Sequence, residues 1–252
     1  LFIAGASTNT IEFVTISTGS NASSFGDTSG GTTASAACSS STRGISAGGL
    51  ATPVQSDVIE YVTIASTGDA IDFGNLTVAR RNLGAASNST RGLFFGGDSP
   101  SDSDVIDFIT ISSTGNALDF GNLSTAVANI YGCASPTRGI LGGGETPSAV
   151  NTILATIEYV TIASKGDAQD FGDLFETRSR FTSTGSGTRG VFAAGRDPSN
   201  VNTIDYVTIA STGNAQDFGD VTLARQNPAA TSDSIRGVIA GGYVAPANTN
   251  LI

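Results

Sequence analysis

Three markers recur in one register along the 252 residues, and that repetition limits the chain to folds built from copies of one unit. The hexamer Ile59-Glu60-Tyr61-Val62-Thr63-Ile64 returns as Ile106 to Ile111, Ile157 to Ile162 and Ile204 to Ile209, with a variant from Ile11 to Ile16. The starting isoleucines lie 48, 47, 51 and 47 residues apart. An Asp/Ser-Phe-Gly step follows each hexamer, at Phe25, Phe73, Phe120, Phe171 and Phe218. An Arg-Gly pair closes each unit, at Arg43, Arg91, Arg138, Arg189 and Arg236. Both series repeat the same spacings. One such unit cannot bury its own apolar face, so neighbouring units must stack on each other.

Each unit reads as four strands. The β-branched and aromatic residues of Ile59 to Ile64 alternate as in a packed strand. Ser66-Thr67-Gly68-Asp69 is a turn, and Ala70 to Leu76 returns as the partner strand. Asn82 to Ser87 is small and weakly apolar, as expected where strands converge, and Thr90-Arg91-Gly92 turns into Leu93-Phe94-Phe95-Gly96-Gly97. No capping box precedes a 3.6-residue apolar period, so no helix is expected. Four-stranded units of 47 to 51 residues have the size of β-propeller blades. The expected fold is all-β, a single β-propeller domain over residues 1–252. Its five repeats cover residues 1–44, 45–92, 93–139, 140–190 and 191–237, and 238–252 starts a further unit. A first strand near Ala229 to Ser232 is expected to complete the N-terminal blade, because a ring cut open would expose a sheet edge. The alternative is an excerpt of a six- or seven-bladed ring. The chain contains no Met and opens at Leu1, which reads as a fragment or processed product.

The order of an Arg, a small strand, an apolar strand ending in Gly-Gly and two strands with an aromatic resembles the kelch repeat. The Gly pairs are Gly48-Gly49, Gly96-Gly97, Gly143-Gly144 and Gly241-Gly242, with Ala194-Gly195 and Ala4-Gly5 as weaker matches. The third-strand aromatic is Phe13, Tyr61, Phe108, Tyr159 or Tyr206. Phe replaces the kelch Trp throughout, and the interval from Tyr61 to Phe73 is longer than usual. The resemblance implies kelch-like blades. It carries little about function, because kelch repeats host many.

Composition narrows the chemistry. Charged residues make up 13% of the chain, against about 25% in an average soluble domain. The net charge is −10 and Lys165 is the single lysine, so no basic stripe exists to neutralise phosphates and no nucleic-acid partner is expected. No run of 18 apolar residues supports membrane insertion by a helix. The absence of His removes the commonest general base and the commonest transition-metal ligand. No P-loop is present, since Gly142-Gly143-Gly144 fits the strand-end glycine position. The expectation is a protein that is not an enzyme, with no catalytic residue, cofactor or metal. A two-carboxylate glycosidase is the remote alternative.

Three constellations have structural readings. The repeated Arg of the Arg-Gly pairs and the repeated acid (Glu12, Glu60, Asp107, Glu158, Asp205) are expected to pair within or between sheets, rather than to form a ligand-binding ring. Asp69 with Asp72, Asp167 with Asp170 and Asp173, and Asp217 with Asp220 offer oxygen clusters that calcium could use. Asn116, Asn122 and Asn214 replace acids in other units, which favours turn-stabilising contacts. Cys38 and Cys133 occupy equivalent first strands two blades apart, so both are expected as free, largely buried thiols.

The first-to-second and third-to-fourth turns are nearly constant, whereas the loops expected on the opposite face vary. A constant scaffold with variable loops on one side is a common arrangement for binding. The candidate ligand-binding residues on that face are Gln55, Asp57, Arg80, Arg81, Asp102, Asp104, Glu145, Asn151, Arg178, Arg180, Arg196, Asn200 and Arg225. Ser135-Pro136-Thr137-Arg138-Gly139 followed by Gly142-Gly143-Gly144, and the run from Ile204 to Asp220, are similar to kelch-like repeat proteins of marine bacteriophages. That resemblance implies a tail-fibre or other virion-surface, extracellular protein. Its expected role is host recognition, with a host-surface glycan or protein and other virion proteins as partners. The alternatives are a structural docking propeller within a viral particle and a free lectin-like, carbohydrate-binding propeller.

Overall fold

Strand formation follows the period-two alternation of each unit. The structure, a computed structural model, describes residues 2–3, 8–17, 21–146, 152–233 and 235–249. Among them there is no helix. The strands in chain order are β1 (Phe2–Ile3), β2 (Thr10–Phe13), β3 (Ser23–Asp27), β4 (Ala36–Ser39), β5 (Arg43–Ala47), β6 (Leu50–Ala51), β7 (Val54–Gln55), β8 (Val58–Thr63) and β9 (Ile71–Asn75). They continue with β10 (Gly84–Ser87), β11 (Arg91–Phe95), β12 (Val105–Thr110), β13 (Leu118–Asn122), β14 (Tyr131–Ala134), β15 (Arg138–Gly142), β16 (Thr156–Thr161) and β17 (Gln169–Asp173). The last are β18 (Thr182–Gly185), β19 (Arg189–Ala193), β20 (Thr203–Thr208), β21 (Gln216–Asp220), β22 (Ala229–Ser232), β23 (Gly237–Ala240), β24 (Tyr243–Val244) and β25 (Ala247–Asn248).

Four complete antiparallel sheets succeed one another: β4-β5-β8-β9, β10-β11-β12-β13, β14-β15-β16-β17 and β18-β19-β20-β21. They are four blades of a β-propeller. Their small-residue first strands line the centre, where β4 packs on β10, β10 on β14, β14 on β18 and β18 on β22. A three-stranded sheet β1-β2-β3 precedes the blades and a two-stranded sheet β22-β23 follows them. The expected completion of the N-terminal blade by the Ala229–Ser232 strand is not what forms, since β22 pairs with β23 alone. The reason lies in β23, the second strand that follows β22 directly in the chain and takes, through Ala229↔Ala240 to Ser232↔Gly237, the edge that β1 would have used. Arg236 Nη1 reaches the Ile16 carbonyl at 3.5 Å, so the two partial sheets lie side by side. Ala4 and Gly5, the weakest match to the glycine pair, lie outside the described residues.

The core sits between blades rather than inside them. One cluster joins Leu93, Phe95 and Phe120 of one blade to Leu141, Val160 and Ile162 of the next. A bulge aims Phe73, Phe120 and Phe171 into such seams. In β12–β13, Ile106 faces Gly121 and Asp107 faces Asp119, so Phe120 is the extra residue. Phe120 meets Phe108 edge-on at 5.9 Å and is 2% exposed. Gly121 follows because a Cβ there would lie 2.4 Å from the Gly166 carbonyl oxygen of the next blade.

The Arg-Gly arginines do not pair with the repeated acids. Arg91 lies over the Phe108 ring at 5.0 Å and donates to the Ile162 carbonyl of the next blade at 2.7 Å. Arg43 and Arg138 do the same with Tyr61 and Ile111, and with Tyr159 and Ile209. Neighbouring positions on a strand point to opposite faces, so the Arg shares a face with the aromatic and not with the acid beside it. The acids instead meet the loop of the preceding blade. Asp107 pairs with Arg80 at 3.0 Å, Asp205 with Arg178, and Glu60 and Glu158 accept from the Ser29 and Ser124 amides at 3.1 Å.

The turn residues Asp69, Asn116, Asp167 and Asn214 also reach across blades rather than closing their own turns. Each accepts, through Oδ1, the backbone N–H of Asp27, Asn75, Asn122 or Asp173 at 2.9 to 3.1 Å. Cys38 and Cys133 are free thiols, and burial pushes both up to about 12.

Candidate ligand-binding mouth

Each fourth-to-first loop ends in one residue with left-handed backbone, at Ala34, Asn82, Asn129, Arg180 and Asn227, with φ between 53° and 59°. Asn suits this conformation better than most residues, because its short amide can bond locally. The reversal turns the chain into the central strand. Asn82 N donates to Ala34 O at 2.9 Å, Asn129 N to Asn82 O at 2.8 Å and Asn227 N to Arg180 O at 2.6 Å. These bonds form a main-chain rim around the central opening.

Backbone bridges Thr33↔Leu50, Arg81↔Asp98, Ala128↔Glu145, Ser179↔Arg196 and Gln226↔Tyr243 tie each such loop to the start of a second-to-third loop. Both variable loop sets therefore share one face. They surround a cavity of about 680 Å³ with Ser35, Arg81, Asn82, Asn129, Tyr131, Arg180, Asn227 and Tyr243 in its wall.

The charges in the wall are matched in pairs. Arg81 Nε donates to Asp98 Oδ2 at 2.9 Å, and Asn82 Nδ2 to Asp98 Oδ1 at 2.7 Å. Arg180 Nε donates to Glu145 Oε1 at 3.1 Å. Burial raises the Tyr131 hydroxyl to about 12, so it stays a neutral donor. The mouth thus offers amides, hydroxyls, paired charges and the side chains of two tyrosines. Among the described residues, no cluster of three or more His, Cys, Asp or Glu is placed to hold a metal ion.

Arg81 and Arg180 line the mouth, with Glu145 bound to Arg180 behind it. Asp102 bridges Asp98 through the backbone. Arg196 and Asn200 belong to the loop next to Tyr243, whose carbonyl accepts from Asn200 Nδ2 at 3.0 Å. Gln55 on β7, half-buried Asp57 and exposed Asp104 are on the same face but not in the cavity wall. Arg80, Arg178 and Arg225 are buried between sheets at 0, 0 and 3% exposure, out of reach of a ligand in the mouth. Asn151 lies outside the described residues. Asn82, Asn129, Asn227 and Tyr131 are wall residues that the loop-variability argument passed over. The signal was present: Ala34, Asn82, Asn129, Arg180 and Asn227 keep the 48, 47, 51 and 47 spacing of the repeat.

A scan of protein-family models finds no family that matches the chain, and a search of curated proteins finds no match either.

Asp102 gives the mouth a pH response. Burial, then the nearby Asp98 and Glu145 carboxylates, raise its pKa to about 6 from 3.8. The folded state therefore binds this proton more readily than the unfolded chain, and the Asp102 carboxylate opposes folding above about pH 6. Stability is expected to rise as pH falls from 7 through 6 towards the unfolded value near 4. Asp102→Asn should melt higher than the parent at pH 7 and gain less on going to pH 5. Melting curves of both proteins at the two pH values check this, and equal pH responses would refute it.

Proposed function

We propose that this chain is a non-enzymatic binding module of a virion surface or tail fibre, built of kelch-like blades. It takes a neutral, polyhydroxylated ligand, a host-surface glycan, in the mouth of the propeller. The carrying observation is the roughly 680 Å³ cavity, whose wall combines amides, hydroxyls and two tyrosines with arginines already matched by carboxylates. Such a wall supplies donors and acceptors in quantity without a net charge to attract a salt. Sugars need that mixture, together with an aromatic face for their apolar side. Two further features support the reading. The resemblance of the repeats to bacteriophage proteins agrees with a displayed receptor-binding role. The arginine-bound carboxylates Asp98 and Glu145 are occupied as acceptors, which disfavours them as a general acid and base.

The test is binding of the purified chain to a glycan panel and to candidate host cells, with Asn129→Ala, Arg180→Ala and Thr90→Ala variants alongside. The first two should weaken binding at least tenfold, as loss of one or two charge-assisted or amide hydrogen bonds implies. Thr90→Ala, in the constant turn between β10 and β11, should bind as the parent does. Equal binding by all three variants, or no glycan bound by the parent, would overturn the proposal.

A further inference from the structure

Leu50, Asp98, Glu145, Arg196 and Tyr243 hold one place in successive units, each bridged to the end of a fourth-to-first loop on the mouth face. The place carries an acid twice and a base once. Asp98 accepts from Arg81 and Asn82, and Glu145 accepts from Arg180, so both acids are matched. Arg196 reverses the sign and is not matched. Every other arginine meets a carboxylate, a carbonyl or an aromatic ring, whereas Arg196 meets none among the described residues. Function lives in sites set on a fold, and here the repeat departs from its own pattern.

The surroundings of Arg196 supply polar groups and no free carboxylate. Ser179 stands opposite it in one backbone bridge and Asn200 in another. Side chains opposed in this way share a face, with Cβ atoms about 4.5–5.5 Å apart. Ser179 is fully buried and its Oγ has no hydrogen-bond partner; the Arg196 Nε is buried without one too. Asp197, next in the chain, accepts from Thr177 Oγ1 instead. The row touches the mouth at both ends. Ser179 precedes Arg180 of the cavity wall, and Asn200 Nδ2 donates to the carbonyl of Tyr243, also in the wall. A half-buried guanidinium in this place has lost part of its hydration without gaining a counter-charge.

We propose that Ser179, Arg196 and Asn200 form a subsite for one carboxylate group at the rim of the mouth. Its carrier is an acidic sugar of the uronic-acid class, next to the neutral sugar in the cavity; this choice of carrier rests on the glycan reading of the mouth. The carboxylate itself has three supports. The planar fork of a guanidinium matches the two oxygens of a carboxylate. Arg81 and Arg180 on the same face already hold carboxylates. A single positive group on a chain of net charge −10 favours a monoanion over a phosphate dianion.

The first measurement is the arginine Nε–Hε NMR spectrum of the ¹⁵N-labelled protein during titration with glucuronate, with glucose as the uncharged control. The Arg196 signal, identified by its loss in Arg196→Gln, should shift saturably with glucuronate and stay in place with glucose. No shift with glucuronate, or an equal shift with glucose, would overturn the proposal. The second measurement is binding to uronic-acid-containing glycans and to the same glycans after carboxyl reduction. The parent should prefer the acidic form at least tenfold, and Arg196→Gln should lose the preference. That variant strands no other side chain, and its melting curve checks that the fold is kept. If Asn129→Ala weakens binding of both forms and Arg196→Gln changes neither, the mouth reading stands and the subsite falls. If only Arg196→Gln matters, the subsite stands and the mouth reading falls.

Discussion

Arg178→Met is expected to lower the free energy of unfolding by about 3–5 kcal/mol, as removal of one partner from a buried ion pair does. Arg178 and Asp205 are both fully buried, and Asp205 also accepts the Phe175 amide at 3.0 Å. With the arginine gone, a carboxylate remains in the seam between blades with no water to solvate it. Burial already acts against both charges, pulling the pKa of Arg178 down and pushing that of Asp205 up. Replacing both partners, Arg178→Met with Asp205→Leu, should therefore recover most of the loss, short of about 1 kcal/mol for the Phe175 amide. Denaturant unfolding of the parent, the single variant and the double variant measures this. A double variant worse than the single would show that the pair itself, and not an abandoned charge, carries the stability.

Phe120→Ala should cost a further large amount, about 3–5 kcal/mol, because it opens a cavity between two blades and removes an edge-on ring contact. Phe218→Ala, the same change at the equivalent repeat position, should cost less than about 1 kcal/mol, since its ring is 58% exposed. Two identical substitutions in one repeat thus serve as a direct measure of what the neighbouring blade contributes. Similar losses at the two positions would mean that the Phe218 ring is covered in solution.

The repeat, the four-stranded unit and the absence of helices were legible because they are written along the chain. Alternation in Ile59 to Ile64 and the fixed interval to Phe73 are local signals, and they lead directly to the blades. Contacts between blades were not legible, since they depend on how one sheet is rotated against the next. Arg80 and Arg178 read as loop residues open to solvent, yet the rotation carries them under the following blade to Asp107 and Asp205. Asp69 and Asn116 read as turn formers, and the same rotation gives their Oδ1 atoms a partner on the preceding sheet. The mouth was half legible. Loop variability pointed to Arg81 and Arg180, but Asn129 and Tyr131 face the cavity because of a single left-handed residue per loop.

The Asp and Asn residues that join neighbouring blades leave the charge of the whole molecule adjustable. Each uses only Oδ1, as an acceptor from a main-chain N–H, and a carboxylate and an amide offer the same oxygen there. Exchanging Asp69 and Asp167 for Asn would remove two negative charges from the formal −10, and the opposite exchange at Asn116 and Asn214 would add two. Neither step disturbs a joint. Net charge is thus a dial that can turn without touching the architecture, and it sets how strongly the molecule is repelled or held by charged surfaces within a Debye length of about 8 Å.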